Sequence, residues 1–251
     1  ITFNSLSSNI NQIPHESIML TRDFIDLCLY HSKFGYFSKQ ALIFSPSRPI
    51  EFNKIENDIQ FSKVLEGLYK NLDDRLEDVD DKMRQVWHTP TELFKPWFGY
   101  SMAKYIIEEY LKDIKKDPNH PLIIYEIGAG NGTLMTNIIQ YFIKYEPELT
   151  PKIEYHIIEI SAALAKEQNR KMNLLINKLK FKGKIDIVNE SILTWSSKDT
   201  RKCFVLMSEV VDNFAHDVIV YNESTGEPMQ GMVCVTNTGD FKELFKYVEI
   251  L

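Results

Sequence analysis

The chain has 251 residues, 44% hydrophobic and 12% aromatic, with a formal net charge of −6 at pH 7. That length and composition suffice for one globular domain with a sizeable core plus extensions, and the acidic balance gives no global basic footprint of the kind nucleic-acid binders carry. Cys28, Cys203 and Cys234 stand apart in apolar surroundings, with neither metal-ligand spacing nor a disulfide framework, which favours a reducing compartment; no apolar run reaches membrane-spanning length and no targeting peptide is visible after Ile1.

In chain order, residues 16–32 place Met19, Leu20, Phe24, Leu27 and Cys28 at helical spacing, and Gly35 follows between Phe34 and Tyr36 as an aromatic-packed turn. Residues 41–60, with Pro46 and Pro49, read as irregular. Residues 61–86 look helical, but in NLDDRLEDVDDKMR acids outnumber bases, the mark of a solvated face or an insertion. A long helix is predicted over 91–115, with Phe98, Met102, Ile106 and Tyr110 among its apolar positions, and Pro118 and Pro121 close it. From there strands and helices alternate: a strand over 122–125, a helix over 131–145, a strand over 155–160, a helix over 162–180, and strands over 185–189 and 203–209. That order predicts a mostly parallel sheet with helices on both faces, followed by an added hairpin formed by DVIVYN (217–222) and MVCVTN (232–237). The expected organisation is an N-terminal helical extension over 1–118, with an acidic insertion at about 45–86, and a Rossmann-like domain over 119–251 that lacks C-terminal sheet elements.

The most informative stretch is LIIYEIGAGNGTL, residues 122–134. An apolar strand meets Glu126, glycines follow at Gly128, Gly130 and Gly132 with Ala129 between them, and an amphipathic helix begins. Glycine lets the backbone turn sharply and approach a ligand, and the helix start offers free N–H groups and positive potential. A dinucleotide site would use G-x-G-x-x-G against a pyrophosphate. Here the spacing is G-x-G-x-G with an acid two residues ahead, which resembles motif I of the S-adenosylmethionine methyltransferases. A cofactor bearing an ammonium and a sulfonium suits an acid near the turn, whereas a ligand-free turn and a dinucleotide site remain the alternatives.

A second acid at the end of the next strand is the expected ribose ligand, because a carboxylate accepts hydrogen bonds from both hydroxyls. Glu159, beside Ile160 in HIIEIS, fits; the competing reading is a helix-start acid, since Ser161 offers an N-cap. Asn189 and Glu190 follow the third strand and are candidates for the adenine. Glu209 and Asp212, in SEVVDN after the fourth strand, lie where open α/β sheets bind ligands, and are candidates to orient a cationic nitrogen or the cofactor ammonium.

Several segments together resemble the MidA family of S-adenosylmethionine-dependent methyltransferase-like proteins: FIDLCLYHSKFGYFS (24–38), HTPTELFKPWFGYSMAKYI (88–106), YEIGAGNGTLMTNII (125–139), HIIEISAALAKEQ (156–168) and SEVVDNFAHDVIV (208–220). The resemblance implies S-adenosyl-L-methionine as cofactor, a protein acceptor with arginine among the implied targets, and a mitochondrial location; neither nucleic acid nor metal is implied. It places Tyr36, Thr89, Pro90, Glu92 and Phe98 beside the pocket, and Glu209 and Asp212 in the catalytic role. The chain departs from the family where Val86-Trp87-His88 replaces Gly-Asp-Phe, Ser208 replaces Asn, and Phe214-Ala215-His216 replaces a Leu-Pro step. These changes sit on the acceptor side, so the alternative is a catalytically silent assembly or binding protein that keeps the cofactor pocket.

Overall fold

The computed structural model describes residues 16–33, 35–39, 42–73, 86–115, 117–238 and 240–246. Its elements are β1 (Ser17–Leu20), α1 (Thr21–Tyr30), α2 (Tyr36–Lys39), β2 (Leu42–Ile43), α3 (Asp58–Asp73), β3 (Val86–Trp87), α4 (Pro90–Leu93), α5 (Trp97–Ile114), β4 (Leu122–Ile127), α6 (Thr133–Tyr145), β5 (Ile153–Ile158), α7 (Ala162–Leu179), β6 (Lys184–Val188), β7 (Phe204–Leu206), β8 (Ile219–Tyr221), β9 (Pro228–Val235) and β10 (Phe241–Lys246). They form two compact units: Leu42–Ser208, and Ile1–Ala41 together with Glu209–Leu251.

The larger unit is the Rossmann-like body, a parallel sheet in the order β6-β5-β4-β7 with helices packed on it. The strand β4 is buried at every residue, so it reads as one apolar run rather than an alternation. Its core joins Ile124 and Tyr155 of the sheet to Ile138, Ile139 and Phe142 of α6, and to Ala103, Ile106 and Tyr110, one helical stripe of α5. The order reverses at β4: β5 and β6 extend the sheet on one side, and the chain then returns to add β7 on the other. A ligand site is expected beyond the carboxyl ends of the strands at such a switch point. A separate cluster in this unit gathers Phe44, Ile50 and Leu93 with Phe52, Phe61 and Leu65 of the segment around α3.

The smaller unit holds an antiparallel sheet in which β9 pairs with β1, β8 and β10. The hairpin expected between 217–222 and 232–237 forms with a different segment: β8 pairs with residues 228–230, while 232–235 pair with β1 and β10. Met19, Leu27, Val233 and Val235 form its core, with Phe24 of α1 packed on them, and Arg22 Nη1 pairs with Asp217 Oδ2 at 3.0 Å.

Several boundaries differ from expectation. The predicted helix over 16–32 divides, because Ser17–Leu20 pairs residue by residue with Val235–Met232 and helix begins only at Thr21. The predicted helix over 91–115 becomes α4 and α5, separated by Phe94–Pro96, and Pro96 has no N–H to continue a ladder. The helical reading of 61–86 holds to Asp73; residues 74–85, which carry most of that acidic run, lie outside the described residues, as does Phe34. The units also do not part at residue 118. Residues 42–118 belong with the parallel sheet, since α5 packs on α6, while the final strands belong with the N-terminal segment through the β1-β9 ladder.

Candidate cofactor site

The glycine turn leaves the carboxyl end of β4. Gly128, Gly130 and Gly132 have φ of 63°, 55° and 70°, the left-handed region that side chains avoid, which is why this turn takes glycine at alternate positions. At Gly130 a Cβ would also stand 2.8 Å from Ile43 Cδ1. Gly132 is the N-cap of α6 and brings no side chain to cap it, and among the first N–H groups of that helix Met135's is taken by Glu126. A turn too tightly packed for a Cβ at Gly130, at a helix start beside the sheet's switch point, stands where a parallel sheet of this kind binds a ligand.

Glu126 lies two residues before the turn but faces inward, 4% exposed. Tyr155 Oη donates to its Oε2 at 2.6 Å, and the Met135 N–H of α6 also reaches it. Burial, with a smaller push from Glu159, raises its pKa to about 8 against the pull of those donors. Glu126 is therefore a protonated group of the core at neutral pH rather than the anion the sequence suggested for a cofactor cation.

Glu159 follows β5 directly and is 3% exposed. Its Oε1 accepts the Ser161 N–H at 2.9 Å and its Oε2 accepts Gln168 Nε2 at 2.9 Å. Burial raises its pKa, opposed by these donors and by the N–H groups of Gly130 and Ile160. Ser161 caps α7 through Leu164 N–H, so the capping role that competed for Glu159 falls to its neighbour. Ile160 is half exposed, and Asn189 Nδ2 donates to the carbonyls of Glu159 and Ile160 at 2.7 and 3.1 Å, holding the backbone after β5. Glu190 is exposed and accepts Thr194 Oγ1 at 3.3 Å.

The 89–98 segment divides its roles. Thr89 caps α4 through the Glu92 N–H, Pro90 opens the helix, and Phe98 packs partly buried against the main core. Glu92 is 2% exposed. Its Oε1 accepts Thr133 Oγ1 at 2.7 Å and Asn131 Nδ2 at 3.0 Å, while its Oε2 accepts Ser45 Oγ at 2.8 Å and Lys95 Nζ at 3.1 Å. Burial alone would raise its pKa, but these donors and the Lys95 ammonium outweigh burial and hold the carboxyl below its ordinary value. Asn131 also donates to the Ile43 carbonyl at 3.2 Å, and Lys171 Nζ to Thr133 Oγ1 at 3.1 Å. Glu92 is thus a saturated anchor between α4 and the glycine turn.

Tyr36, Glu209 and Asp212 belong to the smaller unit. Tyr36 opens α2, half-buried, edge-on to Phe37 with ring centroids 5.1 Å apart. Glu209 is exposed and takes φ of 54°, a conformation few non-glycine residues adopt. Asp212 is exposed in the turn Val211–Asn213. Asn213 Nδ2 donates to the Glu209 carbonyl at 3.0 Å, and Tyr30 Oη donates to the Asn213 carbonyl at 2.7 Å. Burial, then Asp26 and Asp212, push the Tyr30 phenol up to about 12.

Sequence reasoning passed over Tyr155, Asn131, Thr133 and Gln168. A signal for Gln168 was present: it shares the buried face of α7 with Ala165 and Leu175, a position where an amide needs partners. A groove lined by Pro121, Ile153 and Lys184 lies at the amino ends of the strands and shares no residue with the glycine turn.

Among known proteins, residues 101–248 match the model of a family described as "Putative S-adenosyl-L-methionine-dependent methyltransferase". Over 132 residues the chain is 29% identical to a fission yeast (Schizosaccharomyces pombe) protein named protein arginine methyltransferase NDUFAF7 homolog, mitochondrial, a match covering 53% of this chain and 27% of that protein. In fold it is similar to a COG1565 superfamily member from Burkholderia thailandensis bound to S-adenosyl-homocysteine, at 16% identity and a TM-score of 0.57, covering 93% of this chain and 47% of that one. A native COG1565 superfamily structure from the same organism aligns at 14% identity and a TM-score of 0.52, covering 92% of this chain and 44% of that one. The chain thus spans under half the length of the relatives it matches. S-adenosyl-L-methionine is the cofactor of the matched family, and the glycine turn with Glu159 beside it stands at the sheet's switch point, where such a ligand binds. With the family model covering more than half of the chain, on a parallel sheet ending in the glycine turn, this protein belongs to the MidA-type family of S-adenosyl-L-methionine-dependent methyltransferases.

Proposed function

We propose that this protein transfers the methyl group of S-adenosyl-L-methionine to a protein acceptor in mitochondria, with an arginine guanidinium as the nucleophile. The observation that carries the cofactor half is the placement of Glu159, at the end of β5, within reach of the Gly130 N–H in the glycine turn at the end of β4. In this reading Glu159 accepts the ribose hydroxyls, the backbone of Gly128–Gly132 lies along the amino-acid part of the cofactor, and Asn189, Glu190 and Ile160 lie on the adenine side. When bound, the cofactor supplies a methyl carbon on sulfonium; the acceptor nitrogen forms a C–N bond as the C–S bond breaks, then loses a proton to solvent. The acceptor assignment rests on the fission yeast relative's name and on the resemblance of residues 208–220. Glu209 and Asp212 would orient the guanidinium and offset its charge, with positioning and electrostatics supplying the rate. Tyr36, Thr89, Pro90, Glu92 and Phe98 support the acceptor side, Glu92 by anchoring rather than by contact.

The test is transfer of label from methyl-labelled S-adenosylmethionine into a mitochondrial extract, followed by identification of the methylated side chain. A labelled band carrying methylarginine is the expected result. Intact cofactor binding with no labelled protein would overturn the activity and favour the assembly or binding role.

A further inference from the structure

The helix α7 carries one side chain that touches both cofactor elements at once. Gln168 is 0% exposed, and its Nε2 donates to the Gly130 carbonyl at 2.8 Å and to Glu159 Oε2 at 2.9 Å. Both amide hydrogens are therefore used, one on the glycine turn and one on the acid after β5. The reverse orientation of the amide would set its oxygen against two acceptors, so the arrangement is fixed by its partners. Gly132 lies directly on this side chain: a Cβ there would stand 3.2 Å from Gln168 Cγ.

The remaining atom, Gln168 Oε1, is buried and has no hydrogen-bond partner among the described residues. Packing alone would favour a methionine or leucine at this position, which fills similar volume without an orphaned acceptor. What the amide adds is a second tie between the glycine turn and Glu159, from the Gly130 carbonyl to Oε2, beside the Gly130 N–H that also reaches the carboxylate. With Ser161 N–H on Oε1, Gln168 on Oε2 and the N–H groups of Gly130 and Ile160 also reaching the carboxylate, its plane is set before any ligand arrives. A planar pair of acceptors held in this way suits a cis-diol.

We propose that Gln168 is a positioning residue for the cofactor's ribose: its amide locks Glu159 to the glycine turn so that the carboxylate meets the two ribose hydroxyls together. This rests on the assignment of Glu159 to the ribose made above.

The test measures binding of S-adenosylhomocysteine and of its analogue lacking both ribose hydroxyls, by calorimetry, to wild type, Gln168→Met and Gln168→Glu. Wild type is expected to prefer the parent ligand by about ten- to a hundredfold, the range of hydrogen bonds to a charged group. In Gln168→Met, and in Gln168→Glu, which sets a second carboxyl against Glu159, that preference should fall to about threefold or less. A merely structural role would weaken both ligands equally and leave the ratio unchanged. A folded variant that retains the wild-type ratio overturns the inference while leaving the cofactor assignment standing. Wild type that binds neither ligand, or binds both equally, overturns the assignment of Glu159 and the inference with it. If Gln168→Met does not fold, Gln168→Glu decides, its fold checked by circular dichroism.

Discussion

Tyr155 donates its phenolic hydrogen to Glu126 at 2.6 Å, and both side chains are shut away from solvent beneath the glycine turn. The pair joins β5 to β4 across the middle of the sheet, and the acid extends that link to α6 through Met135. A carboxyl that stays protonated to about pH 8 makes the stability of the unliganded protein depend on pH.

Between the ordinary Glu pKa of 4.5 and about 8, the folded state holds a proton on Glu126 that the unfolded chain releases. Stability from this group is complete below the unfolded pKa and is lost as pH rises through that window, at up to about 1.4 kcal/mol per pH unit. Glu126→Gln should flatten this part of the profile, measured by urea denaturation at pH 6 and pH 8.5. An identical slope in wild type and variant would refute the buried protonated state.

Replacing Gly130 by valine places a β-branched side chain at φ of 55° and within 2.8 Å of Ile43 Cδ1. The strain costs about 1–3 kcal/mol, and the side chain pushes against Ile43 and distorts the turn. Binding of S-adenosylhomocysteine should fall below detection by calorimetry, with a modest drop in thermal stability. Retained affinity would move the cofactor site elsewhere.

Glu92 and Lys95 form a buried ion pair that also gathers Ser45, Asn131 and Thr133. Glu92→Ala removes the acceptor shared by Ser45, Asn131, Thr133 and the Lys95 ammonium, leaving Lys95 only Ser45 and Asn131 only the Ile43 carbonyl, and should cost about 3–5 kcal/mol. Glu92→Gln, which keeps the volume and one acceptor, should cost less. Because the folded pKa is lowered, this group contributes stability above the unfolded pKa and loses it as pH falls, opposite in sign to Glu126. Equal stability of the alanine variant and wild type would remove Glu92 as the anchor of the turn.

Glu209→Gln and Asp212→Asn change exposed side chains on the smaller unit. If these acids orient a guanidinium, both variants should bind S-adenosylhomocysteine within about twofold of wild type. Methyl transfer should drop by about 2–3 kcal/mol in transition-state stabilisation, about thirty- to 150-fold. Undiminished transfer in both would exclude them from the acceptor site.

Much of the backbone of the candidate site was legible because it is local. The apolar run 122–125, the alternating glycines and the amphipathic stretch after them specify strand, turn and helix within a few residues, and the observed φ values at Gly128, Gly130 and Gly132 meet that need. Glu159 was legible for the same reason, as the first residue beyond an apolar strand. The strand over 17–20 was not, because Ser17–Leu20 takes its ladder from Val235–Met232, far along the chain, and such pairing leaves no periodic trace in four residues.

By itself, then, the amino-acid order determined the family, the parallel sheet and the place of the glycine turn, since short-range spacing and glycine sterics carry that information. Only the tertiary structure decided what each polar group does. It turned Glu126 inward onto Tyr155, enclosed Glu92 among four donors, and brought Gln168 against Gly130 and Glu159. A buried polar atom is defined by its partners, and those partners come from separate elements that only the packed fold brings within hydrogen-bond reach.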